Sequence, residues 1–230
     1  MPVTPATLPE GCYNAALDLL DRNLAEGRGE RVAVIDDAGS TTYAALTERA
    51  NRFANAIEAL GLEREERVLL VLLDTVDFPA AFLGAIKAGV IPVPVNTLLT
   101  PQDYRFMLRD CGARAVVFSA PLREKLAPAL AEQQRRLRAV VVSGGPAQEG
   151  ELSLDELLAA AAPQHEPAHT HPDDFCFWLY SSGSTGSPKG AVHLHSHLME
   201  TARLYAQPIL GLDQADRAFS AATPSSAYGL

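Results

Sequence analysis

The chain has 230 residues, 47% of them hydrophobic and 20% charged, which supplies a sizeable core and excludes a disordered chain. Its 16 glycines and 16 prolines fall in no collagen-like repeat. The net charge of −9 argues against a protein built to grip nucleic acid, although a local loop of backbone N–H groups can still hold a small anion.

Residues 14–24 carry Ala15, Leu19, Leu20 and Leu24 at helical spacing and predict an amphipathic helix. Residues 31–35 and 40–43, separated by Asp36-Asp37-Ala38-Gly39, predict a hairpin. A long helix is predicted over 43–60, stopped by Gly61. Strands then alternate with helices. Strands are expected at 68–73, 90–95, 114–118 and 138–142. Helices are expected at 78–88, 100–109 and 122–135. The two prolines of 90–95 suit a short or edge strand. Thr100 and Pro101 form a helix start. Such alternation implies βαβ crossovers, hence an α/β fold with a largely parallel sheet and helices on both faces.

A short helix is expected at 152–162, and the polar, proline-containing 164–173 reads as a linker. Residues 1–163 would form a first α/β subdomain and 174–230 the start of a second. In the second, the apolar run 175–180 leads into a Ser/Gly-rich loop, 190–194 returns as a strand, and 196–206 reads as a helix. The basic cluster Arg123, Lys125, Arg135, Arg136 and Arg138 reads as a solvated helix face. Cys12, Cys111 and Cys176 are odd in number and far apart, which favours reduced thiols over a disulfide framework. With neither a signal peptide nor an apolar span of membrane length in sight, a cytoplasmic protein without a membrane or nucleic-acid partner is expected.

The chemistry is concentrated in Tyr180-Ser181-Ser182-Gly183-Ser184-Thr185-Gly186-Ser187-Pro188-Lys189-Gly190. Hydroxyls at Ser181, Ser182, Ser184 and Thr185 surround Gly183. Gly183 and Gly186 can take backbone angles that let N–H groups converge on an anion. Lys189 adds a mobile cation. These are the requirements of a polyphosphate: many donors, close backbone approach and one positive charge. The pattern is neither a Walker A loop nor a dinucleotide fingerprint nor a serine-hydrolase elbow. His193, His195 and His197 alternate, so on a strand they would share a face. Three imidazoles there could hold zinc, but no carboxylate or Cys stands at a ligand-like spacing nearby, and structural histidines are the better reading.

SSGSTGSPKG resembles the phosphate-binding signature of the adenylate-forming (AMP-binding) superfamily. Thr42-Tyr43-Ala44-Ala45-Leu46 and residues 83–96 resemble its T-Y-x-x-L and K-A-G-x-x-x-x-P-x-N segments. Within the superfamily, residues 177–186 and 219–230 are most similar to benzoate-CoA ligases and close aryl relatives. The resemblance implies ATP-dependent activation of a carboxylic acid, an aromatic one such as benzoate or a substituted benzoate, through an acyl-adenylate to a coenzyme A thioester. It implies Mg2+ as the metal accompanying ATP. It implies that Ser181, Ser182, Gly183, Ser184, Thr185, Gly186 and Lys189 hold the ATP phosphates. It also implies that Ser226, Ala227, Tyr228 and Gly229 line the acid pocket, where a flat Tyr beside a small Ala suits an aromatic ring.

The aryl members usually carry a K-L-F-F-A-Y-G-like run, whereas this sequence has Thr223-Pro224-Ser225-Ser226-Ala227-Tyr228-Gly229. The loss of bulk before Ala227 implies a larger or wetter pocket than benzoate needs. Measured against the family, residues 1–230 also lack the Y-G-x-T-E-like segment, the ribose-binding Asp and the C-terminal domain with its adenylation lysine. Turnover by these residues alone is therefore expected to be weak or absent. The alternative is a catalytically incomplete nucleotide-binding or interaction module. Uncovered sheet would favour self-association, for example as a homodimer.

Overall fold

The computed structural model describes residues 3–181 and 188–219. The N-terminal periodicity yields two short helices, α1 (Ala15–Leu19) and α2 (Asp21–Ala25), instead of the single expected one. The break at Leu20 turns Asp21 inward. Its carboxylate accepts from Lys87 Nζ at 2.9 and 2.8 Å and from the Ala6 N–H at 2.8 Å. Both charged side chains are buried, Lys87 at 0% and Asp21 at 2% exposure, so they must be paired to be tolerated there.

The expected hairpin forms from β1 (Val32–Asp36) and β2 (Gly39–Thr42), paired antiparallel. Helix α3 (Tyr43–Ala59) follows, capped by the Thr42 hydroxyl accepting from the Ala45 N–H and stopped at Gly61, whose φ of 80° suits glycine.

Five parallel strands make the central sheet: β3 (Arg67–Val71), β4 (Ile91–Pro94), β5 (Ala115–Ser119), β6 (Ala139–Ser143) and β7 (Leu152–Ser153), in the order β4-β3-β5-β6-β7. The proline-bearing β4 takes an edge, as its missing N–H groups require. Between the strands run α4 (Asp77–Lys87), α5 (Pro101–Asp110) and α6 (Arg123–Gln133), and α7 (Leu154–Ala160) follows β7. The α5 start is a full capping box, with Thr100 and Asp103 satisfying each other's backbone N–H groups.

Alternation along the strands divides the core in two. Val68, Leu70, Val117 and Val141 join α3 and α4, while Leu69, Val71, Val116 and Phe118 join α5 and α6. Strands buried on both faces read as unbroken apolar runs, which is why they were visible in the sequence. Strand β7 was not: residues 152–162 were expected as one helix, but the first two pair with β6 before Ser153 caps α7.

Residues 164–173, expected as a linker, contain neither helix nor strand but lie against the first layer. Asn55 Nδ2 donates to the Ala162 and Gln164 carbonyls at 2.8 and 2.7 Å, and the Ala168 N–H donates to the Lys87 carbonyl at 2.8 Å. Beyond them, β8 (Phe175–Ser181) and β9 (Lys189–Leu194) form a separate antiparallel pair. Helix α8 (His195–Thr201) then runs into a π-helical turn at Ala202–Ala206, where one α-helix over 196–206 was expected.

Candidate functional site

The β8–β9 hairpin presents the candidate site. Its register pairs Phe177 with His193, Leu179 with Ala191 and Ser181 with Lys189, and paired residues share a face. Toward the base of the hairpin Phe177 and Leu179 of that face are buried. Phe177 meets Phe82 of α4 edge-on at 5.4 Å and stacks on His193 at 4.5 Å. At the hairpin tip the same face carries Ser181 and Lys189, both exposed. The fold therefore brings together two sequence-predicted phosphate ligands eight positions apart, by making them cross-strand partners. Ser182, Gly183, Ser184, Thr185 and Gly186 lie outside the described residues, as do Ser226, Ala227, Tyr228 and Gly229.

The opposite hairpin face carries Trp178 and Tyr180. The Tyr180 hydroxyl donates to Asp110 Oδ2 at 2.6 Å, and burial followed by this bond pushes the phenol pKa up. The Arg67 guanidinium lies 5.9 Å from the Trp178 ring. Sequence reading missed Asp110 and the role of Tyr180. The alternation of Trp178 and Tyr180 announces a shared face, but their partners come from α5 and β3, and no local signal connects them.

The three histidines do not share a strand face. β9 ends at Leu194, so His193 is on the strand while His195 and His197 begin a helix, where positions two apart diverge. His193 and His197 meet edge-on at 5.5 Å, whereas His195 turns into the core and its Nδ1 accepts the Ala15 N–H at 3.1 Å. Among the described residues no group of His, Cys, Asp and Glu is arranged to hold a metal ion.

A second location deserves comparison on general grounds. Connections reverse direction between β3 and β5, and ligands of open α/β sheets commonly sit outside the carboxyl ends of strands at such a point. A cleft of 410 Å³ lies there, lined by Arg49, Asp77, Ser119 and Ser143 among others. Arg49, Asp77, Ser119 and Ser143 are committed to partners within the protein. Ser143 donates to Asp77, Arg49 Nε donates to Asp77 at 2.8 Å, and Ser119 Oγ accepts the Leu73 N–H at 3.0 Å. The hairpin tip, with its exposed hydroxyl and ammonium, is the better candidate for binding an anion.

The sequence pattern of the AMP-binding enzyme family matches residues 21–230. The chain is 54% identical over 219 residues to a benzoate–CoA ligase of Thauera aromatica, covering 95% of this chain and 41% of that one. It is 42% identical over 223 residues to a 4-hydroxybenzoate–CoA/benzoate–CoA ligase of Rhodopseudomonas palustris, with 97% and 41% covered. Among solved structures it resembles a benzoate CoA ligase from Burkholderia xenovorans LB400 with a TM-score of 0.83 at 48% identity, covering 94% of this chain and 42% of that one. It also resembles the anthranilate CoA ligase AuaEII in complex with anthranoyl-AMP, with a TM-score of 0.86 at 37% identity and coverage of 95% and 41%. The chain thus spans about two fifths of the length of these relatives. No helix among the described residues is long and apolar enough to cross a membrane.

Proposed function

The chain belongs to the AMP-binding enzyme family, and from that premise we propose that it carries the triphosphate-binding part of an aryl-CoA ligase. The reaction begins with attack of an aromatic carboxylate on the α-phosphorus of ATP, giving an acyl-adenylate and pyrophosphate. A coenzyme A thiol then displaces AMP. The observation that supports this most is the Ser181–Lys189 pair closing the hydroxyl- and glycine-rich 182–188 segment. The identity to benzoate–CoA ligases supports an aromatic acid as the substrate.

In this reading Ser181, Ser182, Gly183, Ser184, Thr185, Gly186 and Lys189 hold the β- and γ-phosphates. Negative charge builds on the departing pyrophosphate, and donors already in place stabilise it without reorganisation. Mg2+, the cation that accompanies ATP, would neutralise part of that charge. Ser226, Ala227, Tyr228 and Gly229 form one wall of the acid pocket, and the small polar Ser226 admits a ring bearing a polar substituent. Such an enzyme works in the cytoplasm, where ATP and coenzyme A are at hand.

Titration of MgATP into the complete gene product and its Lys189→Met and Thr185→Val variants tests the reading. Loss of a charge-assisted phosphate contact at Lys189 is expected to weaken binding by about ten-fold or more. Unchanged affinity in both variants would remove the basis of the assignment. Acyl-adenylate formation across a panel of benzoates then separates an active ligase from a module that binds nucleotide without turnover.

A further inference from the structure

The β8–β9 pair shares no backbone ladder with the five-stranded sheet. Its orientation therefore depends on side chains. One seam is apolar, through Phe177 and Leu179, and lies toward the base of the hairpin, away from the Ser181–Lys189 pair. The other seam is polar and gathers on one short stretch, the C-terminal turn of α5. Asp110, the last residue of α5, accepts from Tyr180 at 2.6 Å. The next two residues receive Arg67: its Nε donates to the Cys111 carbonyl at 2.6 Å and its Nη2 to the Gly112 carbonyl at 3.3 Å. That same guanidinium lies over Trp178. Gly112 has φ of 60°, and a Cβ there would stand 2.9 Å from Arg67 Nη2, so the turn is shaped to let the arginine in.

Tyr180 is the residue just before Ser181, and across the hairpin it pairs with Gly190, the residue just after Lys189. A Cβ on Gly190 would lie 3.4 Å from the Tyr180 ring, so the phenol covers the glycine backbone directly. One hydrogen bond thus fixes a ring that in turn braces both strands at the step next to the exposed Ser181–Lys189 pair. The aromatic residue also covers the position where β9 has no side chain of its own.

Building on the reading of this hairpin as a triphosphate site, we infer that Tyr180 and Asp110 are positioning residues for it, holding Ser181 and Lys189 at the angle that meets the β- and γ-phosphates. Neither touches the ligand. Their contribution is to the placement of groups that do, so it appears in ligands that reach the hairpin tip and is absent for those that do not.

The test compares MgATP with AMP, which lacks the β- and γ-phosphates, in the complete gene product. Tyr180→Phe keeps the ring over Gly190 and removes only the hydroxyl. It is expected to weaken MgATP by about three- to ten-fold, the worth of one such hydrogen bond, and to leave AMP affinity unchanged. Asp110→Ala should reproduce that loss. Asp110→Asn keeps an acceptor oxygen and should restore most of it. The Tyr180→Phe/Asp110→Ala double variant should be no worse than either single one. Equal weakening of MgATP and AMP would indicate general damage and overturn the inference, as would additive losses in the double variant. If Lys189→Met weakens MgATP while Tyr180→Phe does not, the positioning role fails and the phosphate site stands. If neither variant affects MgATP, the phosphate site itself fails.

Discussion

Acidification from neutral pH should destabilise this fold through two buried imidazoles. His195 is 1% exposed, and its Nδ1 accepts the Ala15 N–H. A proton on that nitrogen would set two donors face to face in the core. Burial accordingly holds the pKa at about 4, against an ordinary 6.5. His165, 8% exposed, is held at about 4 by burial and then by the Lys87 charge. Both folded values lie below the unfolded one. Between pH 6.5 and 4 the unfolded chain therefore takes up protons that the folded chain refuses. Stability is complete above that window and falls as the pH drops through it.

Each group contributes at most about 1.4 kcal/mol per pH unit. From pH 6.5 to pH 5 that comes to roughly 1.5 kcal/mol per histidine and roughly 3 for the two, a large part of the 5–15 kcal/mol of a typical domain. Urea denaturation at a series of pH values measures it. His195→Asn is the diagnostic variant, because an amide oxygen can accept the Ala15 N–H but does not titrate. Its stability should fall less steeply than wild type by about one histidine's share. Parallel curves for wild type and variant between pH 6.5 and 4 would mean that the folded state accommodates the charged ring, and would refute the argument.

Asp21→Ala leaves Lys87 buried without a counter-charge and should cost about 3–5 kcal/mol in chemical denaturation, whereas Asp21→Leu with Lys87→Met, which removes both charges, should recover most of it. Gly84→Ala would place a Cβ 2.5 Å from the Ala50 carbonyl and 3.1 Å from Phe53. The resulting separation of α3 and α4 should lower stability by about 1–3 kcal/mol, read as a shift in thermal midpoint.

Much of the architecture was legible because its determinants are local. Thr100 and Pro101 announce the start of α5, and Gly61 marks the stop of α3 through a backbone geometry that only glycine adopts cheaply. Strands β3, β5 and β6 are buried on both faces and so appear as uninterrupted apolar runs. The features that were misread are decided by distant partners. Leu20 sits in a helical pattern, but the helix breaks there with Asp21 turned in to pair with Lys87, and that lysine is 66 positions away. Strand β7 is two residues long, too short for any periodicity, and exists only because β6 offers an edge. The alternating histidines suggested a strand face because His195 gives no sign in sequence of being the first residue of a helix. At the candidate site the hydroxyls, glycines and lysine stand within nine positions of one another, so the proposed phosphate site rests on a local pattern. The Tyr180–Asp110 bond was not legible, since its partners stand 70 positions apart.

The hairpin's lack of a shared ladder has an evolutionary corollary. A strand added to a sheet inherits its neighbour's register, and the register moves only in whole-residue jumps that turn every side chain over. A two-stranded arm resting on Phe82, Arg67 and Asp110 has no such quantum. Substitutions along those contacts are expected to change its tilt while leaving the register of the parallel sheet as it was. An arm held in this way can be re-aimed by substitutions that leave every strand register intact.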